Sequence, residues 1–273
     1  MNAPDPHASR ATPAYDPAAA ALALAQAWRD GRQLSALPEA MRPRTLAQGY
    51  TLQDAFVQAI GDRIAGWKLG AGSANAMQAA GLDRPVVGRL LAAQCQHHAG
   101  DGETLVRLRC AAPVTVEFEI SVKLGRDIAP GTAPADPMRA VTSVHPSFEL
   151  VQSRFTDRRA VGWPSFVGDN VGFAAHIIGA PIAASDVARL IGGLDIQYDG
   201  ASMPTSLGDG DQVDLAQSLR HLFDHAADRD ITLRAGEIVS AGVVARPFDM
   251  APGPHTLAAV GPGASLRLRV DVG

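Results

Sequence analysis

Two glutamates in one strand-like segment have the clearest capacity for chemistry in this sequence. Residues 114–123 read VTVEFEISVK, and successive side chains of a β-strand point to opposite faces. Glu117 and Glu119 therefore share a face, roughly 6–7 Å apart along the strand. Two carboxylates at this spacing can bind one hard divalent cation, which prefers oxygen ligands. The alternative is a solvent-facing strand that carries charges because it is wet.

Glu149 and Lys68 are two further candidates, and each lies in a largely apolar run. Glu149 occurs in HPSFELVQSRF and shares its strand face with Val151. The pattern therefore fits a partly buried carboxylate and a solvent-exposed one about equally well. Lys68 occurs in IAGWKLG, where partial burial would lower an amine pKa toward a catalytic range. The alternative for Lys68 is a strand lysine that simply points outward.

Other titratable groups form weaker patterns. His221 and His225 in RHLFDH have the i, i+4 spacing of two helical metal ligands, but the segment lacks the glutamate of the metalloprotease motif. We therefore expect helical histidines on an exposed face. Cys95 and Cys110 match no zinc or redox spacing. No serine lies in a nucleophile elbow.

Composition restricts the class of protein and of partner. The 273 residues suit one large domain, or one domain with a smaller cap. A hydrophobic content of 47% with 19% charged residues excludes global disorder. The net charge of −4, without a run of Lys or Arg, argues against nucleic-acid and anionic-membrane partners. The apolar N-terminal run is shorter than a membrane span, and nothing implies an oxidising compartment, so we expect a cytoplasmic protein.

The elements that would position these groups change character along the chain. Residues 1–15 are rich in Ala and Pro and predict a flexible tail. Residues 16–85 carry helical patterns and predict an N-terminal helical cap region, whereas residues 86–273 alternate short apolar runs with turn residues and predict a β-rich catalytic core. One helix, over 213–227, interrupts the strands. Irregular alternation of strands and helices favours an α+β fold with a curled β core.

Several of these segments together resemble a known family. They are LPEAMRPRTLAQGYTLQDAF, GWKLGAGS, RPVVGRLL, VEFEISVKLGRDI, VHPSFELVQSRF, GDNVGFAAHIIG and LRAGEIVSAG. Their order resembles the 2-keto-4-pentenoate hydratase and 4-oxalocrotonate decarboxylase branch of the fumarylacetoacetate hydrolase superfamily. The most specific combination is Glu-x-Glu followed by LGRD, then a third Glu about thirty residues later, before a Ser-Arg pair.

The resemblance implies a fold, a cofactor and a set of site residues. The fold would be a mixed β-roll core with an N-terminal helical cap, and the cofactor Mg²⁺ or Mn²⁺. Glu117, Glu119 and Glu149 would bind the metal, and Lys68 would transfer a proton. The residues expected to line the substrate pocket are Leu69, Gly70, Ser73, Ser240 and Gly242. The substrate would be a small 2-oxo acid of aromatic catabolism, and the protein a homo-oligomer.

The resemblance favours a lyase and leaves the reaction open. Hydration of a 2-hydroxypenta-2,4-dienoate-type acid is slightly favoured over decarboxylation of a 4-oxalocrotonate-type acid. An acylpyruvate-type C–C hydrolase would need a histidine in the N-terminal segment, and none occurs between His7 and His97. A catalytically reduced member that serves as a binding or partner subunit is the remaining alternative.

Departures from the family's pattern motivate that last alternative. Val86 and Val87 stand where hydratases of this branch often carry an acid. Val243 stands in a segment where the family has hydroxyl residues, and Gln152 replaces an Asp before the Ser-Arg pair. These changes predict an altered substrate or reduced activity.

Overall fold

The computed structural model describes residues 15–273. The tail predicted over 1–15 lies outside the described residues except for Tyr15, whose hydroxyl donates a hydrogen bond to the Met41 carbonyl at 3.1 Å. The α-helices are α1 (Ala18–Asp30), α2 (Leu46–Ile60), α3 (Ala74–Ala80), α4 (Gly162–Gly168), α5 (Val187–Gly192) and α6 (Leu215–Asp228). In residues 15–273, no helix combines the length and the apolar character needed to cross a membrane.

Thirteen β-strands account for most of the remaining regular structure in the described chain. They are β1 (Ile64–Gly70), β2 (Val86–Leu91), β3 (Cys95–His97), β4 (Thr104–Leu108), β5 (Val114–Leu124), β6 (Val141–Val151), β7 (Phe173–Ile178), β8 (Asp195–Tyr198), β9 (Ala201–Met203), β10 (Ile238–Val243), β11 (Phe248–Met250), β12 (Gly253–Gly261) and β13 (Ala264–Val272).

The strands form two mixed sheets. The larger has the order β2–β1–β10–β5–β6–β7–β3, with β11 also paired to β5, and the smaller has the order β4–β13–β12–β8–β9. The pairs β1–β10, β3–β7 and β4–β13 are parallel, whereas the other neighbours are antiparallel. The predicted α+β class, with helices at the N-terminal end and mixed strands after them, is confirmed.

Each face of the larger sheet is covered by a different layer. On one face, Phe118 of β5 packs in the main hydrophobic core with Leu222 of α6 and Leu268 of β13. On the other face, Phe56 of α2 and Leu90 of β2 belong to a second cluster with α1. Because side chains alternate along a strand, the residues of β5 that point away from the main core lie under the N-terminal part of the chain.

Capping residues explain where the helices begin and end. The Thr45 side chain accepts a hydrogen bond from the backbone N–H of Gln48 at the start of α2, and that helix stops at Gly61, which has a φ of 77°. Asp214 accepts from the N–H of Gln217 and so starts α6 one residue later. The helix predicted over 213–227 is confirmed, with its ends displaced by one or two residues.

Strand β1 lies within the range predicted as the cap region. It pairs with β10 through Lys68 and Ser240 and with β2 along its length, so it is an integral strand of the larger sheet. Trp67 and Leu69 point into the main core, and Lys68 points to the opposite face by alternation. The division into a cap over 16–85 and a core over 86–273 stays a prediction.

His225 of α6 is buried, which corrects the expectation of an exposed helical histidine. Its side chain packs against Tyr50 of α2, with 4.7 Å between the ring centroids. Burial, together with the positive charges of Arg229 and Arg84, lowers the pKa of His225 to about 3. His225 lies on the buried face of α6, since positions 222 and 226 on the same helix are also buried.

The lowered pKa predicts a loss of stability in acid. The unfolded chain takes up a proton at His225 below its ordinary pKa of about 6.5, whereas the folded chain does not, so the free energy of unfolding falls as the pH drops below that value. We expect His225→Phe to reduce this loss between pH 7.5 and pH 5 by about 1–2 kcal/mol. Urea unfolding at the two pH values measures it. The same replacement at exposed His97 is the control, and an equal effect there would contradict the assignment.

Candidate active site

Strands β5 and β6 bring three carboxylates to one point. Glu117 lies directly opposite Glu149 in the antiparallel register, and Glu119 lies opposite Ser147. One oxygen from each of the three glutamates lies within 4.8 Å of the others. In residues 15–273, no other group of three or more His, Cys, Asp or Glu side chains is arranged closely enough to hold an ion.

Burial distinguishes this carboxylate triad from a wet strand face. Glu119 and Glu149 are 1% and 0% exposed, and Glu117 is half-buried. Burial and the neighbouring carboxylates of Glu149 and Glu117 raise the pKa of Glu119 well above its usual value. The solvated interpretation is therefore wrong for Glu119 and Glu149. A cluster of like charges away from water is costly unless a cation neutralises it.

Lys68 supplies one positive charge at the triad. Its Nζ forms an ion pair with Oε1 of Glu149 and donates a hydrogen bond to the Val171 carbonyl at 3.2 Å. Gly88 makes room for the lysine chain, since a Cβ there would lie 2.8 Å from Cγ of Lys68. The alternative of an outward-pointing lysine is excluded, because Lys68 is 1% exposed.

The donor set fits a hard divalent cation. Burial raises the pKa of Glu149, and the charge of Lys68 opposes this rise. Oε2 of Glu149 is buried and has no hydrogen-bond partner in the described part of the chain. An unpartnered buried carboxylate oxygen beside two further carboxylates, without a thiolate or imidazole, is the ligand chemistry that Mg²⁺ and Mn²⁺ prefer.

Two residues of β10 donate hydrogen bonds to the Glu119 carboxylate. Its Oε2 accepts hydrogen bonds from the Ser240 hydroxyl and from the backbone N–H of Gly242, the latter at 3.3 Å. The register between β10 and β5 shifts between Ser240 and Val243, and this irregularity turns the Gly242 N–H toward the carboxylate. The structure therefore places these two predicted pocket residues behind a candidate ligand.

A buried ionic network supports Lys68 from the other side. The Asp169 carboxylate forms an ion pair with Arg154 and accepts a hydrogen bond from the Ser153 hydroxyl at 2.7 Å. It precedes a turn in which Asn170 and Val171 have φ values of 53° and 52°, which non-glycine residues rarely adopt. The turn directs the Val171 carbonyl toward Lys68. Ser153 and Arg154 hold Asp169, and they therefore influence the position of Lys68 only indirectly, through this turn.

A cavity of about 530 Å³ opens over Lys68 and Glu117. Helix α3 and the segment leading into α4 form much of its wall. The apolar or small residues that line it include Gly70, Ala76, Ala80, Trp163, Phe166 and Val171. Arg158 and Arg159 add two positive side chains to the lining. The lining therefore combines the polar groups of Lys68 and Glu117 with mostly apolar residues and two arginines.

The remaining predicted pocket residues have separate positions. Gly70 lines the cavity, whereas the side chain of Leu69 lies in the main core. The Ser73 hydroxyl accepts a hydrogen bond from the N–H of Ala76 at 3.1 Å and so caps α3. Leu69, Ser73, Ser240 and Gly242 are absent from the described lining of this cavity.

The residues that depart from the family's pattern are mostly packed or turned away. Val87 lies in the main core, and Val86 packs with Phe166 and Val171. The Gln152 side chain donates hydrogen bonds to the carbonyls of Cys110 and Ala112, at 2.9 and 2.8 Å. Gln152 therefore anchors a loop and does not face the triad.

Sequence reasoning did not identify His176, which lies beside the triad. It is opposite Glu149 in the register of β6 and β7, and its Nε2 is 2.9 Å from the Ser121 hydroxyl. Ser121 Oγ is in turn 2.8 Å from Ser147 Oγ. Burial and the charge of Lys68 lower the pKa of His176 to about 3. A lone histidine in the apolar run FAAHII was the only signal available.

The network around Asp169 predicts an unequal cost for two acid-to-amide substitutions. Asp169→Asn leaves the Arg154 charge buried without its partner, so we expect a loss of about 3 kcal/mol in the free energy of unfolding. Asp54 also pairs with two arginines, Arg89 and Arg229, but its side chain is half exposed. Asp54→Asn should cost less than about 1 kcal/mol. Urea unfolding measures both, and equal losses would contradict a special role for Asp169.

Comparison with known proteins places this site in context. No family model matches the chain. The 2-keto-4-pentenoate hydratase of Paraburkholderia xenovorans (strain LB400) is 26% identical over 239 residues, covering 86% of this chain and 87% of that protein. The 4-oxalocrotonate decarboxylase of Pseudomonas sp is 27% identical over 197 residues, covering 71% of this chain and 73% of that protein.

Solved structures give the same fold. The 4-oxalocrotonate decarboxylase from Pseudomonas putida G7, complexed with magnesium and adipate, has a TM-score of 0.76 at 21% identity, over 92% of this chain and 97% of that one. Fumarylpyruvate hydrolase from Pseudomonas aeruginosa, in complex with Mn²⁺ and pyruvate, has a TM-score of 0.54 at 18% identity, over 76% and 89%. The chain is therefore a distant homologue of the 2-keto-4-pentenoate hydratases and 4-oxalocrotonate decarboxylase, with the fold of the fumarylacetoacetate hydrolase superfamily.

Proposed function

We propose that the protein is a metal-dependent lyase that acts on a small 2-oxo or 2-hydroxydienoic acid, with Mg²⁺ or Mn²⁺ held by Glu117, Glu119 and Glu149. The observation that carries this proposal is the convergence of the three carboxylates beside the Lys68 ammonium, with Glu117 and Lys68 lining a cavity. Distant homology to hydratases and a decarboxylase supports it.

The roles of the residues follow from their positions. When bound, the cation supplies Lewis-acid stabilisation of the negative charge that develops on the 2-oxygen of the substrate. Lys68 Nζ, held between Glu149 and the Val171 carbonyl, is the group that transfers a proton to and from the substrate carbon chain. The apolar wall that includes Trp163 and Phe166 packs against that chain and excludes bulk water.

Hydration of a 2-hydroxypenta-2,4-dienoate-type acid is the first reaction we propose for this site. Lys68 transfers the proton of the 2-hydroxyl to the carbon chain, which converts the 2-hydroxydienoate into its keto form, and water then adds across the remaining double bond with its oxygen at C4. The names of several relatives support this choice, since four of them are 2-keto-4-pentenoate hydratases.

Decarboxylation of a 4-oxalocrotonate-type acid is the second candidate. Arg158 and Arg159 in the cavity lining favour it, because a positive wall attracts a substrate with a second carboxylate. The same stabilisation of an enolate then drives the loss of CO₂, without water addition.

An acylpyruvate-type hydrolase and a catalytically reduced binding subunit have less support than either lyase reaction. In the described residues, no histidine lines the cavity, so the hydrolase lacks its base there. The hypothesis of a catalytically reduced subunit was based on Val86, Val87 and Val243. Val86 and Val87 pack in hydrophobic clusters and do not line the cavity. As part of this proposal, we predict that the protein is cytoplasmic and forms a homo-oligomer.

Metal binding is the first prediction of this proposal. Calorimetric titration of Mg²⁺ into chelator-stripped protein should show binding, and oxalate, which resembles the planar enolate of a 2-oxo acid, should bind only when Mg²⁺ is present. Glu119→Gln should abolish both signals, because the amide removes one anionic ligand. Binding of oxalate without metal, or unchanged binding by the variant, would contradict the triad as the metal site.

The same variant carries its own control for folding. Because the pKa of Glu119 is raised, the folded protein keeps this proton to a higher pH than the unfolded chain does. The free energy of unfolding therefore falls as the pH rises from the unfolded-state pKa through the folded-state pKa. We therefore expect metal-free Glu119→Gln to be more stable than the parent protein at neutral pH. A loss of metal binding in a more stable protein cannot come from unfolding.

Turnover tests the role of Lys68. We expect Mg²⁺-dependent disappearance of dienoate absorbance with 2-hydroxypenta-2,4-dienoate, or release of CO₂ with 4-oxalocrotonate. Lys68→Gln should lower turnover of the active substrate by at least about 100-fold while leaving the binding of Mg²⁺ and oxalate in place. Absence of turnover with both acids in the metal-loaded protein would favour the catalytically reduced subunit.

A further inference from the structure

A second cavity, of about 160 Å³, is lined by the C-terminal ends of α1 and α2 and by the end of β4. It shares no lining residue with the cavity over Lys68. In the described part of the chain, its lining contains no Asp or Glu, but it contains five arginines. They are Arg29, Arg32, Arg107, Arg109 and Arg154. The chemistry proposed above makes no use of this concentration of positive charge.

Ion pairs account for two of the five arginines. Arg154 is buried and pairs with Asp169, and Arg32 pairs with Asp30 at 3.2 Å. Each of these carboxylates cancels the charge of its arginine. The excess of positive charge at the cavity therefore comes from the other three side chains.

Arg29, Arg107 and Arg109 form no ion pair within residues 15–273. Arg29 donates a hydrogen bond to the Ala59 carbonyl in the last turn of α2. Arg109 donates a long hydrogen bond, at 3.5 Å, to the Arg29 carbonyl in the last turn of α1. A guanidinium carries five N–H donors. These contacts position two of the guanidiniums at the cavity and leave most of their donors available to a ligand.

The local charge selects the class of ligand. The C-terminus of a helix carries about −0.5 of an elementary charge, so the ends of α1 and α2 offset about one of the three unpaired positive charges. A dianion matches the remaining excess better than a monocarboxylate does. A phosphate monoester carries about −1.5 to −2 at pH 7 and offers three acceptor oxygens. Guanidinium groups bind phosphate through paired N–H···O hydrogen bonds.

The size of the cavity and the Gln94 side chain agree with a small polar ligand. Pockets for drug-sized ligands span about 300–1,000 Å³, and this cavity is smaller. Gln94 lines it, and the buried Oε1 of this residue has no hydrogen-bond partner in residues 15–273. An amide presents an acceptor on one side and two donors on the other. Reversing the Gln94 amide would therefore place N–H donors where that unpartnered oxygen lies.

We propose that this cavity binds a dianionic phosphoryl group, either inorganic phosphate or the phosphate of a small monoester, through Arg29, Arg107 and Arg109. Their guanidinium groups donate hydrogen bonds to the phosphate oxygens and neutralise their charge. The site is separate from the carboxylate triad, so this inference does not depend on the metal or on the lyase reaction.

Calorimetric titration at pH 7.5 tests the ligand class. The full-length protein is used without added divalent metal, so that a cation at the triad cannot hold phosphate. The probes are inorganic phosphate, glycerol 3-phosphate and, as a monoanion, acetate. We expect at least one of the two phosphates to bind about 10-fold or more tightly than acetate, the lower end of the range for a charge-assisted hydrogen bond. Tighter binding of glycerol 3-phosphate would identify a monoester as the ligand, whereas equal or tighter binding of inorganic phosphate would identify the free anion.

Variants assign the binding to this cavity. Arg107 is exposed and forms no ion pair in the described residues, so Arg107→Gln should fold normally and weaken phosphate binding by about 10- to 100-fold. Arg107→Lys should restore part of the affinity, because it keeps the charge without the planar fork. Arg267→Gln is the matched control. Arg267 is likewise an exposed strand arginine of the smaller sheet, but it lies outside the cavity lining, so phosphate affinity should not change.

Arg158→Gln separates this site from the positive side chains of the cavity over Lys68. We expect this variant to bind phosphate as the parent protein does. Absence of phosphate binding in the parent protein, or equal affinity for both phosphates and acetate, would overturn the inference. It would also be overturned if phosphate affinity fell in Arg158→Gln and persisted in Arg107→Gln, since phosphate would then occupy the other cavity.

Discussion

The convergence of three carboxylates on one point, two of them buried, is the constraint on which the rest of the site depends. Glu119 and Glu149 are removed from water on a face of the larger sheet that the N-terminal part of the chain covers. Like charges in this setting repel each other and lose hydration. The protein offsets part of that cost with the Lys68 ammonium and with the donors of Ser240 and Gly242. The divalent cation proposed for this site would offset the rest.

The support for Lys68 comes from segments that are far apart in the chain. The lysine lies on β1, its carboxylate partner on β6, and its carbonyl acceptor in the left-handed turn after α4. That turn depends on Asp169, which the buried Arg154 and Ser153 hold. The Asn170 side chain also exchanges two hydrogen bonds with the backbone of Arg89 on β2. Strained backbone of this kind persists where surrounding contacts over-determine it.

The cavity over Lys68 carries charged groups of both signs. Glu117 and Lys68 line it together with Arg158 and Arg159, and aromatic and alanine side chains form most of the remaining lining. Glycines at positions 70 and 88 keep the region around Lys68 open, since a side chain at either would contact Val171 or the lysine itself. His176 and its serine partners lie behind the triad and maintain the polar side of the sheet.

The sequence by itself determined the strands, the α+β class and the shared face of Glu117 and Glu119, because the period of two along a strand is a local property. The resemblance added Glu149 and Lys68 to the same site. Only the tertiary structure decided which face of β5 is covered, that Ser240 serves Glu119, and that Arg158 faces the cavity, because these depend on contacts between segments distant in the chain. His225 shows the same limit, since its burial depends on packing against Tyr50 of α2, which is distant in the chain.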